Sequence, residues 1–158
     1  MAYNYQILIE PPAGLSQIWK DKIVQLVSQG GQVNKGYIKV GLHRAKSIGL
    51  LTLDDVLIST CTLKVPTKTY RDGVFQQSKC GLFSEEFALE LGYMATSPQF
   101  EGKGHCQALL NDFMPMINKS NVFATTRKPS IVHILGKLGF VVTGEPYKEN
   151  LELLTFKP

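Results

Sequence analysis

A single α/β domain spanning residues 1–158 is predicted by three features of this sequence. The segment FALELGYMAT, Phe87 to Thr96, is apolar at nearly every position, as expected of a central strand covered on both faces by helices. Beyond it, Cys106, Leu109, Leu110, Phe113, Met114 and Ile117 recur at i, i+3, i+4, i+7, i+8 and i+11, which marks one face of an amphipathic helix. Strand-like and helix-like runs then share the remaining chain, and a 44% hydrophobic content supplies enough apolar mass for one core.

The elements follow in order. YQILIE, Tyr5 to Glu10, reads as a strand stopped by Pro11 and Pro12, which cannot donate to a ladder. Leu15, Ile18, Trp19, Ile23, Leu26 and Val27 fall on one helical face, closed by Gly30 and Gly31. Residues 32–47 carry a weaker pattern and are expected to hold a short helix. Two β-rich runs around Asp54 and Asp55 predict a hairpin. PTKTYRDGVFQQSKCG, Pro66 to Gly81, is polar and rich in turn formers, and reads as an irregular loop. Pro115 lies inside the amphipathic helix and predicts a kink or an end near Phe113. NVFATT is a further strand. Pro129 opens a short helix bearing Ile131, Ile134, Leu135 and Leu138, which Gly139 stops, and FVVT and LELLTF close the chain as strands around GEPYKEN.

Composition narrows the function. A net charge of +4 without a Lys/Arg stripe argues against a nucleic-acid footprint. Cys61, Cys80 and Cys106 form no CxxC pair and are odd in number, so neither a metal site nor a disulfide framework is expected. That fits a reducing interior. MAYNYQILIEPP has no basic leader, and no long apolar window occurs, so a cytoplasmic protein without a membrane span is expected.

The chemistry concentrates in SPQFEGKGHCQALL, Ser97 to Leu110, where a strand gives way to a glycine-rich turn and a helix N-terminus. That arrangement suits an anion, because first-turn N–H groups lack intrahelical partners and glycine lets a phosphate reach the backbone. A Walker loop is excluded, since Gly104 follows Lys103 where Ser or Thr is required and Ser97 replaces the earlier glycine. A dinucleotide fingerprint is excluded by Gln107 at the third glycine position.

The stretch LGYMATSPQFEGKGHCQALL instead resembles the pyrophosphate-binding motif of the GNAT superfamily of acyl-CoA-dependent N-acetyltransferases. Gln99-x-x-Gly102-x-Gly104 satisfies its Q/R-x-x-G-x-G/A pattern, and HILGKLGFVV, His133 to Val142, is similar to the family's second signature. The resemblance implies an α/β fold with a mixed, mostly antiparallel central sheet, helices on both faces and a splayed cofactor-binding strand. It implies acetyl-CoA as co-substrate, with the pantetheine arm along Met94, Ala95 and Thr96. The pyrophosphate would rest on the backbone of Gly102, Lys103, Gly104, His105, Cys106 and Gln107. The partner it implies is an amine-bearing acceptor, protein or small molecule, and a homodimer is compatible with it. Two positions depart from the pattern. Glu101 stands where many members carry Arg, and Leu135 stands where the family's proton-donating Tyr is found. These departures motivate an alternative, a catalytically degenerate CoA-binding module.

Acetyl transfer to an amine needs a proton acceptor. Glu90, six residues before Thr96 on the apolar strand, is the candidate general base, because a buried carboxylate suits proton removal near neutrality. The bland alternative is a structural carboxylate paired with a lysine. His133 turns away from the Leu135 direction on a helix and reads as a surface residue. Tyr93 faces opposite Glu90 unless a bulge intervenes, and Tyr147 lies on the loop before the last strand. Cys106, at the start of the apolar stripe, reads as core rather than nucleophile.

Overall fold

The computed structural model describes residues 4–31 and 33–158. The first three residues of MAYNYQ and Gln32, the first residue of the short helix expected over 32–47, lie outside the described residues. Seven strands, β1 (Tyr5–Glu10), β2 (Ser47–Leu53), β3 (Val56–Lys64), β4 (Leu89–Thr96), β5 (Val122–Thr126), β6 (Val141–Val142) and β7 (Glu152–Phe156), form one mixed, mostly antiparallel sheet. Their order is β1-β2-β3-β4-β5-β7-β6. The described residues also form helices α1 (Gln17–Ser28), α2 (Lys35–His43), α3 (Lys68–Gln77), α4 (His105–Ile117) and α5 (Pro129–Lys137). The chain divides into two compact units, one holding the residues up to Lys64 with Gly92–Phe113, the other Val65–Leu91 with Met114–Pro158.

In the first unit, β2 pairs antiparallel with β1 and β3, and all seven of its residues are buried. The β2–β3 hairpin turns through Asp54 and Asp55, both in the left-handed region at φ 48° and 64°. Asp tolerates that conformation because its short side chain bonds locally. Ser16 caps α1 by accepting from Trp19 N–H, and Asn34 caps α2 by accepting from Gly36 N–H at 2.7 Å. The two helices bury Ile23, Val24, Val27, Ile38 and Leu42 with Ile48 and Leu50 of β2 in one apolar cluster.

In the second unit, Leu89 and Glu90 of β4 pair in parallel with Val122 and Phe123 of β5, and β5 pairs antiparallel with β7. β6 closes the edge on β7. Residues 66–81, expected as an irregular loop, are instead built around α3. Its apolar face is only Val74 and Phe75, too short to signal a helix by periodicity. The fold recovers it through a Thr67 N-cap on Tyr70 N–H and through Phe75, whose ring meets Phe87 at 5.2 Å and Phe123 at 5.4 Å. The strand expected from Phe87 begins at Leu89, because Ser84–Glu86 form a 3₁₀ turn that leads the chain in.

Nor does the fourth helix end near Phe113. It runs through Pro115 to Ile117. Pro115 and Asn111, whose carbonyl loses its intrahelical partner, are both exposed residues, where a lost bond costs less than in the core. Asn118 N–H bonds Met114 O at 2.8 Å and completes the last turn.

Candidate functional site

Thr96 leads into a 3₁₀ turn, Pro98–Phe100, and then into Gly102 and Gly104, which sit at φ +73° and +82°. Only glycine adopts such angles at no cost, and here they turn the chain straight into α4. A Cβ built on either residue would have nothing within 4 Å. The backbone of the turn is therefore open in front, with no side chain across it. Ala108 N–H makes the first i→i−4 helical bond, to Gly104 O at 3.0 Å, so the N–H groups of the preceding turn lie at the positive end of the helix dipole. An anionic group such as a phosphate fits that chemistry.

The side chains around the turn are held in place. His105 lies between the rings of Phe100, at 6.1 Å, and Tyr5, at 6.4 Å. Lys103 reaches back over Phe100, its Nζ 5.6 Å from the ring centroid, while Glu101 and Lys103 are both exposed. Cys106, expected in the core, is only half-buried. It lies close enough to Cys61 that, after burial itself, it helps push the Cys61 thiol up.

Upstream, Met94, Ala95 and Thr96 are half-buried along β4. Ser59 on β3 donates to Ala95 O at 3.2 Å and lies 2.9 Å from Thr96 Oγ1, and Ser97 N–H bonds Ile58 O at 2.7 Å. Tyr93 is in the left-handed region at φ 49°, a strained backbone for a residue inside a strand. Here is the irregularity that upsets simple alternation along β4. Its ring takes Lys64 Nζ at 4.2 Å from the centroid, and its hydroxyl donates to Tyr37 O at 3.3 Å.

The second unit holds Glu90, which is 2% exposed. Tyr70 of α3 donates to its Oε2 at 2.9 Å. Burial, followed by the Glu90 charge, raises the Tyr70 phenol far above its ordinary value. Tyr147 is the third member of this group. Its hydroxyl is buried without a hydrogen bond among the described residues, and burial, then the Glu90 charge, pushes it up to about 12. A tight turn carries it, with Lys148, Glu149 and Asn150 all at positive φ. Arg127 braces that turn by donating to Lys148 O at 2.7 Å and Glu149 O at 3.3 Å.

Leu135 is fully buried on α5, and His133 is exposed on the same helix. Sequence reasoning missed Tyr70, because its segment carries no helical pattern, and missed Ser59, whose role depends on β3 lying beside β4. Among the described residues, no helix is long and apolar enough to cross a membrane.

No family model matches the chain, and no curated protein matches it. Solved structures do. An acyl-CoA N-acyltransferase from Pseudomonas aeruginosa is 13% identical, with a TM-score of 0.71, covering 97% of this chain and 99% of its own. A GNAT-family acetyltransferase from Streptococcus agalactiae is 18% identical, with a TM-score of 0.69 and 99% coverage of both chains. FeeM, an N-acyl amino acid synthase from uncultured soil microbes, is 12% identical, with a TM-score of 0.72 over 99% of this chain and 92% of its own. The chain has the GNAT fold.

Proposed function

We propose that this protein is an acyl-CoA N-acyltransferase that moves an acetyl group from acetyl-CoA to a primary amine by direct attack. The observation that carries the reading is the open Gly102–Gly104 turn, at φ +73° and +82°, which joins β4 and its following 3₁₀ turn to the N-terminus of α4. The likeness in fold to acyltransferases supports it. In this reading the backbone of Gly102, Lys103, Gly104, His105, Cys106 and Gln107 holds the pyrophosphate, and Met94, Ala95 and Thr96 take the pantetheine arm. Because backbone groups do the binding, Glu101 is tolerated, and Lys103 offsets its charge.

Acetyl-CoA supplies an activated acyl carbon and a thiolate leaving group. The amine nitrogen bonds to that carbon, the C–S bond breaks, and the amine proton passes to Glu90 as general base. Leu135 can donate nothing to the departing thiolate, so water supplies that proton. A second reading, a CoA-binding module without turnover, is favoured by the buried Leu135. We place the protein in the cytoplasm, where acetyl-CoA is available and the thiols of Cys61, Cys80 and Cys106 stay reduced.

Thiol release measured with acetyl-CoA and a panel of peptides, amino acids and polyamines separates the two readings. Release that requires both substrates supports the enzyme. Tight acetyl-CoA binding with no amine-dependent release supports the module, and no binding at all overturns both.

A further inference from the structure

The first unit contains a cleft of about 520 Å³ that the acyltransferase reading does not use. Its floor is Val24 of α1 with Val40 and Leu42 of α2, and that volume lies within the range of small-molecule sites. Around it stand Lys20, Lys39, His43 and Arg44, and no acidic residue lines it. Asp21, the nearest acid along α1, accepts from Gln17 Nε2 at 2.9 Å.

Part of this charge has a structural explanation. Arg44 sits at the C-terminal end of α2, where a cation complements the helix dipole. Lys20 on α1 and Lys39 in the middle of α2 have no such reason to be there, and among the described residues neither has an ion-pair partner. Two helices thus bring Lys20 and Lys39 to the lining of one cleft together with Val24, Val40 and Leu42. A flat basic patch would suit a nucleic acid or an acidic peptide. An apolar hollow with a cationic rim suits a small molecule that is hydrocarbon at one end and anionic at the other.

We propose that the α1–α2 cleft binds an aliphatic carboxylate, its chain over Val24, Val40 and Leu42 and its head between Lys20 and Lys39. Binding requires no thioester and stands apart from the acyltransferase reading. The head group confers orientation, the chain confers affinity, and neither half alone suffices.

Isothermal titration of the full chain with hexanoate, octanoate and decanoate, all kept below their micellar range, tests this without acetyl-CoA. Affinity should rise by about fourfold per added methylene, the gain expected of burying one CH₂. Decanol and succinate, which lack the head and the chain respectively, should each bind at least tenfold more weakly than decanoate. The K20Q/K39Q variant should lose decanoate affinity by tenfold or more while melting at the wild-type temperature, because both side chains reach solvent. Val40, 59% exposed, provides a second variant: Val40→Ser should flatten the chain-length dependence without unfolding the protein. Equal binding of decanol and decanoate, a K20Q/K39Q variant that binds as the wild type does, or association with anionic vesicles but not with monomeric decanoate would each overturn the proposal.

Discussion

The Tyr70 hydroxyl donates a 2.9 Å hydrogen bond to Oε2 of Glu90, so a helix that the sequence does not announce holds a carboxylate that the sequence singles out. A bond from the phenol donor fixes the direction in which the Glu90 carboxyl group points. Glu90→Gln keeps the shape and removes the capacity to accept a proton. Turnover should fall by about 10²- to 10⁴-fold with acetyl-CoA affinity nearly unchanged. Tyr70→Phe should cost on the order of tenfold in kcat, the worth of one charge-assisted bond of about 1.5 kcal/mol. If Glu90→Gln turns over normally, proton removal belongs to water or to the substrate's own ionisation.

Gly104 gives a cleaner test of the binding loop. At φ +82° a valine is strained by about 1–2 kcal/mol, yet its side chain meets no atom within reach of Cβ, so the fold should survive. That same side chain would fill the space in which a phosphate approaches the backbone. Gly104→Val should therefore lose acetyl-CoA binding in calorimetry while remaining folded by circular dichroism. Unchanged affinity in the folded variant removes the pyrophosphate from this turn.

Tyr93 and Gly41 are coupled. A Cβ on Gly41 would collide with the Tyr93 hydroxyl and would lie 2.8 Å from Cζ. The ring cannot easily yield, because Lys64 covers its face and its hydroxyl is tied to Tyr37 O. Gly41→Ala alone should destabilise the protein by about 1–3 kcal/mol despite alanine's better helix propensity. With Tyr93→Ala already present, the same change should be neutral or stabilising. Denaturant unfolding of the double-mutant cycle measures the difference, and additive effects would separate the two residues.

Asp72 of α3 sets an acid limit on that helix. Hydrogen bonds from Ser84 and Lys68, then Arg71, hold its carboxyl down to about 2 from an ordinary 3.8. A depressed carboxyl contributes stability that is complete above its unfolded value and is lost as pH falls toward its folded one. Wild-type melting temperature should drop between about pH 4 and pH 2 by more than that of Asp72→Asn, which should already be lower at pH 7. Parallel curves for the two proteins across that window would contradict the assignment.

Local chemistry wrote much of this fold into the sequence. Paired prolines ended β1, the Asp54–Asp55 turn closed a hairpin, Pro129 opened α5, and the apolar stripe from Cys106 to Ile117 marked α4. The glycine turn was legible for the same reason, since its conformation depends on residues adjacent in the chain. What only the tertiary structure decided lies where the partner is distant in sequence. Helix α3 forms from a polar segment because Phe75 finds Phe87 and Phe123, and α4 runs on through Pro115 at an exposed position. Tyr93 adopts a left-handed backbone while its ring is clamped by Lys64, and its hydroxyl reaches the backbone of α2. Glu90 stood out in the sequence as a carboxylate in an apolar strand, but its hydrogen bond to a tyrosine 20 residues upstream was not visible there. Periodicity and turn chemistry report the nearest few residues, whereas the setting of a buried polar group is made by whichever elements the packing brings against it.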